Sequence, residues 1–375
     1  MSHPWPEVAA LQAQAAAAFA ASGWPGRKDE AFKYTSLRAV EALELPPVPV
    51  RLGVRRSVTP EIEVHELALF QGDHAPALAH LGRLVPPTGF SAQNLAHCEP
   101  FLLHIAAGTR IEAPIQLKWR MPAGAIAHYP RLLILAEKRC DISVIELFEG
   151  EGEGPGYTHA VTELVVGEGA RVRHCRFQAE RPGAFHVSRL AVEVARDGWF
   201  DSTLLNGGGV LGRAETDVQL VGPGAEAHLR GLFAGQGGRH LDQHVTVAHQ
   251  SHHTTSTQDF RGLLGAGARG VFTGKVHVAP GAHHSAAEQQ NRNLLLDPTA
   301  HVDTRPQLEI LNDDVKCSHG ATIGRLDEVA LFYLRSRGID LAEARRLLTG
   351  AFAAPILEAL PEDALRDRAR PWLEF

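Results

Sequence analysis

Apolar and polar positions alternate in short runs through the middle of the chain. Residues 132–135, 142–148, 161–166, 190–194, 245–247 and 276–278 each read as a strand, since β-branched and apolar residues bounded by turn residues suit a pleated, half-buried surface. Between 140 and 320 no stripe of 3.6-residue period runs for ten residues, which excludes the alternating β–α pattern of doubly wound folds. Helical texture flanks this stretch. Leu11, Ala15, Ala18 and Phe19 form one stripe over 7–22, stopped by Gly23. Residues 27–40 predict a second short helix with Phe32 and Leu37 inward, and Pro-rich 45–50 reads as a linker. After 325, Leu326, Val329, Ala330 and Tyr333 make a stripe that ends at Gly338. Asp340 with Glu343 resembles a capping box, and Ala344, Leu347, Leu348, Ala351 and Phe352 line one face as far as Pro355. The predicted organisation is a mixed helical cap over 1–80, a strand-built core over 81–324 and a helical region over 325–375, either an end cap or a docking module.

The turns repeat weakly. Short Gly/Pro/Ala motifs begin at 167, 197, 222, 265, 279 and 297, at intervals of 30, 25, 43, 14 and 18 residues. Several intervals suit one rung of a β-solenoid, and 43 suits two. An antiparallel sandwich is the alternative, but apart from Asp197-Gly198 it lacks the tight turns that paired hairpins use.

Composition narrows the function. Of 375 residues 44% are hydrophobic and 21% charged, as in ordinary globular chains. The net charge of −6 gives no basic surface for nucleic acid. No Cys-x-x-Cys pair occurs among Cys98, Cys140, Cys175 and Cys317, so neither a zinc ribbon nor a complete iron–sulfur site is encoded, and a reducing cytoplasm is expected. No signal peptide and no bilayer-length apolar run is read, so no membrane association is expected. The acidic glycine-rich stretch 150–156 would repel phosphate and reads as a flexible solvated loop. Residues 270–276 lack the spacing of a P-loop, so ATP is not expected to bind this chain.

Cys317 and His319 carry the sharpest chemistry. On a strand over 315–319 they project from one face about 7 Å apart. A thiolate and an imidazole so placed suit a soft metal or an iron–sulfur unit, but two ligands cannot close such a site. The alternative is a buried Cys beside a hydrogen-bonded His. A His-rich set (His240, His244, His249, His252, His253, His277, His283, His284, His301) either stacks rung upon rung or lines a metal groove. Carboxylate pairs Glu215/Asp217, Asp242/Asp259 and Asp313/Asp314 keep a stand-alone carbohydrate-active or metal-binding solenoid as an alternative function.

The segment 315–322 (VKCSHGAT), with 323–339 after it and the early RKDEAFKYTSL over 27–37, resembles the SufB/SufD family. Its Cys-Ser-His-Gly form is that of the SufD branch, where the SufB branch typically has Cys-Glu-His-Glu. The resemblance implies a right-handed parallel β-helix with helical N- and C-terminal parts. It implies a non-catalytic scaffold in iron–sulfur cluster assembly, paired with a SufB-like subunit and with an ABC-type ATPase, SufC, docked on the C-terminal helices. His319 would then be a ligand to iron or a transient nascent cluster and Cys317 a less certain second, with the remaining ligands supplied in trans. Tyr333, Arg335 and Arg337 fall in the segment expected near the ATPase. An isolated chain of this kind can also pair with itself.

Overall fold

The computed structural model describes residues 6–26, 28–50, 52–55, 62–66 and 75–375. Its helices are α1 (Pro6–Ser22), α2 (Arg38–Glu41), α3 (Ala75–Leu78), α4 (Ala92–His97), α5 (Glu328–Ser336), α6 (Leu341–Leu357) and α7 (Asp363–Ala369). Its strands are β1 (Leu52–Arg55), β2 (Ile62–Glu66), β3 (Pro100–Ile105), β4 (Ile115–Met121), β5 (Ile126–His128), β6 (Arg131–Ala136), β7 (Asp141–Gly150), β8 (Gly156–Val166), β9 (Arg171–Ala179), β10 (Ala184–Val194), β11 (Trp199–Asn206), β12 (Leu211–Leu220), β13 (Glu226–Gly235), β14 (His240–His249), β15 (Thr255–Leu264), β16 (Arg269–Val278), β17 (Ser285–Leu295), β18 (His301–Ile310) and β19 (Val315–Gly324).

From β7 onward, successive strands alternate between two facing parallel sheets. One runs β1-β4-β7-β9-β11-β13-β15-β17-β19, the other β18-β16-β14-β12-β10-β8-β6-β3-β2. The chain is thus a flattened β-solenoid of about 8 turns. Among the described residues only β1 and β2 pair antiparallel, with β4 and β3 at the first rungs. Each rung is two strands and two corners, and this corrects the reading of the turn intervals. The motifs at 167, 197, 222 and 279 share one corner, while those at 265 and 297 lie at the opposite one. The 43-residue step therefore spans one and a half rungs, and the steps of 14 and 18 span half a rung each.

The first corner explains the glycines. Arg139, Gly169, Asp197, Gly224, His253 and His284 all hold φ between 53° and 71°, the left-handed region. Each of their amides donates to a carbonyl one rung on: Arg139 to Glu168, Gly169 to Arg196, Asp197 to Pro223, Gly224 to His252, His253 to His283 and His284 to Asp314. Two of the six are glycines, which reach this region freely, while Arg139, Asp197, His253 and His284 hold it with a Cβ in place. Where an alanine closes the motif at this corner it is small enough to enter the core end (Ala170, Ala225 and Ala282, all fully buried), while the motif at 197 closes on the buried Phe200.

The apolar interior is built from both sheets and includes Trp119, Phe148, Leu164, Val192, Phe200, Leu220, Val247, Phe260 and Phe272. The predicted strands all form. Several polar strands were missed because amides and charged groups also point inward.

The helices cover the two outer faces. α1 packs through Val8 and Ala15, with Leu11, Ala18 and Phe19 half-buried. The expected helix over 27–40 is instead a 3-10 turn at Glu30–Phe32 and the four-residue α2. Phe32 and Leu37 are buried as expected, but Thr35 spends its hydroxyl on the sheet, on Asp242 at 2.5 Å and His240 at 2.8 Å. The 45–50 stretch is tied to the solenoid, Val48 donating to the Ala127 carbonyl. The 150–156 turn is exposed over 151–154, as a solvated loop is, and Arg181 ties it to the neighbouring turn by donating to the carbonyls of Pro122, Gly124, Glu151 and Gly154.

At the C-terminus Asp340 caps α6 as expected, accepting from the Glu343 amide, and Asp327, which the sequence reading did not name, caps α5. The buried face of α6 is Ala344, Thr349, Ala353 and Ile356, rotated from the predicted stripe, and α6 runs through Pro355 to Leu357. With α7 it covers Cys175, Phe177, Leu205, Leu232 and Leu263 on the outside of the nine-stranded sheet. No helix among the described residues is long and apolar enough to cross a membrane.

Candidate functional site

Among the described residues, nothing lids the solenoid at its C-terminal rung. Among the described residues β19 pairs only with β17, and β18 only with β16, so each leaves one edge of backbone donors and acceptors open. Ile310, Leu311 and Ile323 are exposed around this end.

Cys317 and His319 sit on β19, opposite Ala287 and Gln289 of β17. Ala287, Gln289, Asn291 and Asn293 point into the interior and are buried. Since side chains on paired parallel strands share a face, Cys317 and His319 line the same column and form the mouth of the lumen. Cys317 is half-buried against Val276, Val278, Ala282 and Ala287. Burial raises its thiol pKa, partly offset by a backbone hydrogen bond at Ala287. His319 is exposed, because no further rung covers it. Among the described residues no three His, Cys, Asp or Glu side chains are grouped to hold a metal. The mouth offers one thiol and one imidazole to whatever sits against it.

Behind the mouth lies an amide layer that the sequence reading missed. Gln289 donates to Gln258 at 2.9 Å, Asn293 to Asn291 at 2.6 Å, and Thr304 from the facing sheet to Asn291 at 2.8 Å. The Phe260 and Phe272 rings, 5.2 Å apart, close the lumen beneath it. Further in, Glu146 accepts from Trp119, Thr162, His174 and Arg176 at 2.7–3.1 Å, all buried. The available signal was polar residues in one register column: His174, Ser202, Gln258, Gln289 and His319 share it, interrupted by Leu229.

The predicted carboxylate pairs do not converge into a hydrolytic site. Glu215 and Asp217 pair with Arg213 and Arg189. Asp242 is buried against Arg213, and Asp259 lies on the other sheet, bonded to Arg261 and Arg292. The histidines divide. His244 bonds Asp242 and His240 bonds Thr35, while His249 is satisfied by Thr254 and Ser256. His252, His253, His283 and His284 gather at the exposed corner beside the last rung.

The predicted stripe of Leu326, Val329, Ala330 and Tyr333 divides: Leu326 and Ala330 are half-buried, while Val329 and Tyr333 face outward together with Phe332, which the stripe did not include. Val329 and Phe332 are about three-quarters exposed (75% and 74%) and Tyr333 is also exposed, while Leu331 packs inward. Arg337 stacks over the Tyr333 ring at 5.3 Å, and Arg335 is exposed in the last turn.

A family model described as "SUF system FeS cluster assembly, SufBD core domain" matches residues 120–352, more than half of the chain. The iron-sulfur cluster assembly protein SufD of Escherichia coli is 31% identical over 373 residues, covering 92% of this chain and 88% of that protein. The chloroplastic protein ABCI7 of Arabidopsis thaliana is 28% identical, covering 92% and 81%. The iron-sulfur cluster assembly protein SufB of Bacillus subtilis is 27% identical over 296 residues, covering 75% of this chain and 62% of that protein.

Proposed function

This chain belongs to the SufBD family, and from that premise we propose that it is a scaffold subunit of an iron–sulfur cluster assembly complex, without catalysis of its own. The cluster is its cargo. The observation that carries this reading is the unlidded last rung: two open strand edges surround a mouth that holds Cys317 and His319 and too few donors to complete a site. A SufB-like subunit with its own open end satisfies both needs. It continues the edges by backbone pairing, buries Ile310, Leu311 and Ile323, and adds the missing thiolate and carboxylate donors. His319 binds iron through a ring nitrogen, and the amide layer behind it keeps the mouth polar.

The exposed Val329, Phe332 and Tyr333 of α5 are the docking face for a SufC-like ATPase, with Arg335 and Arg337 at its rim. ATP-driven approach of two such ATPases moves α5 and α6. Because α6 packs on the nine-stranded sheet, that movement reaches β19 and reshapes the mouth.

Co-expression with the SufB-like and SufC-like proteins of the same organism tests this. All three are expected to co-purify, and Phe332→Asp is expected to shed the ATPase while keeping the homologous subunit. Recovery of the chain without either partner overturns the reading.

A further inference from the structure

The corner beside the last rung carries side chains that the cluster site does not use. His252 and His253 follow β14, His283 and His284 follow β16, and Asp314 precedes β19 three residues before Cys317. All five are exposed. The Nδ1 atoms of His252 and His253 are 2.8 Å apart, and the rings of His253 and His284 lie 4.8 Å apart, one rung above the other. His284 Nδ1 is 2.8 Å from Asp314 Oδ2.

Two features separate this cluster from a chance gathering of surface histidines. First, His253 and His284 take the same left-handed corner position on successive rungs, with φ of 57° and 58°, the position held elsewhere by Arg139, Gly169, Asp197 and Gly224. That shared geometry stacks the two imidazoles one rung apart on the same side of the solenoid. Second, the contacts around the rings leave lone pairs free. A neutral His284 ring that donates Nδ1–H to Asp314 keeps its Nε2 lone pair, the carboxylate–histidine arrangement that orients a metal-binding imidazole. Of His252 and His253, whichever ring donates across the 2.8 Å contact likewise keeps a free Nε2.

We propose that His284 and the His252–His253 pair form a surface site for a divalent transition metal of the ferrous class, with Asp314 holding the His284 ring and water completing the coordination. Imidazole suits iron, cobalt, nickel and zinc. The donors do not converge on one point as they stand. Exposed side chains change rotamer in picoseconds to nanoseconds, and the backbone ladder already holds their Cα atoms in adjacent rungs. The binding itself does not depend on the scaffold reading. What rests on that reading is the use of the site, as the place where iron collects before it reaches the mouth.

The test is an anaerobic titration of the full-length chain, freed of metal, with Co(II) followed by its visible d–d bands, and with Fe(II) in competition. One equivalent is expected to bind with imidazole-type bands. His284→Ala and His253→Ala are each expected to weaken it by at least about tenfold, while Cys317→Ala and the exposed-histidine control His301→Ala leave it unchanged. His253→Gly and His284→Gly guard against a folding artefact. They free the left-handed corner, so the thermal midpoint of the metal-free chain is expected to hold or rise while metal binding is lost. Binding that survives both His→Gly changes, disappears in Cys317→Ala, or is absent in the wild-type chain overturns the site.

Discussion

Glu146 is the acceptor at the centre of the buried polar group in the lumen, and replacing it tests how that group is held. Burial alone would raise its carboxyl pKa, but the Arg176 charge and the His174 contacts hold it far below the usual carboxylate range. Arg176 and His174 are themselves buried, and Arg176 also donates to Thr162 at 2.8 Å. Glu146→Leu therefore leaves a guanidinium uncompensated inside the solenoid, and removing one partner of a buried pair costs about 3–5 kcal/mol. At roughly 2.1 cal/mol/K of unfolding entropy per residue, a cooperative chain of this length shifts by about 1.3 °C per kcal/mol, so the thermal midpoint should fall by about 4–6 °C. The double variant Glu146→Leu/Arg176→Met removes both charges. It should return to within about 1 kcal/mol of wild type, because apolar replacement of a whole buried pair is often neutral. Urea unfolding followed by circular dichroism measures all four corners of the cycle. A single variant that costs under about 1 kcal/mol, or a double variant as unstable as the two singles added together, refutes the reasoning.

Thr35 pins the N-terminal segment to Asp242 and His240, so Thr35→Val should cost about 1–2 kcal/mol and speed proteolysis within 28–41; an unchanged cleavage rate would show that the other contacts of the segment suffice. Stability should also depend on pH in a defined direction. Burial pushes the ring pKa of His128, His159 and His249 down to about 4, 3 and 4, from 6.5. The unfolded chain then takes up protons that the folded chain refuses, so stability is full above pH 6.5 and declines below it. Burial alone would raise Glu180, but the His186 charge and hydrogen bonds from His186, Thr158 and Gln178 hold it at about 2, which adds a second decline below pH 4.5. The thermal midpoint scanned from pH 8 to pH 3 checks this, and a flat profile between 6.5 and 4 would contradict it.

The sequence revealed strands where one rule applied, that apolar β-branched residues face a dry interior. That reading found β6–β8, β10, β14 and β16, and passed over β15 and β17, whose inward Gln258, Gln289, Asn291 and Asn293 bond one another instead. The turn spacing pointed to a solenoid, but it could not separate two corners whose motifs look alike, and the corner at His253 shows no glycine at all. The stripe at the start of the C-terminal helices was visible as a period, yet its direction depends on neighbours: Leu326 and Ala330 are half-buried, while Val329 and Tyr333 turn away with Phe332, outside the stripe. For the site, the Cys-x-His spacing was enough to place both side chains on one face. That this face is the open mouth follows from where the rungs stop, which local pattern does not encode.

The account depends most directly on His319 contributing to a site completed by another chain. Co-purify the complex with the SufB-like and SufC-like proteins anaerobically, and quantify iron and acid-labile sulfide with wild-type chain and with His319→Ala. Loss of both from an intact His319→Ala complex is the predicted result. Full iron and sulfide in that complex, or a cluster assembled by the wild-type chain alone, would contradict it.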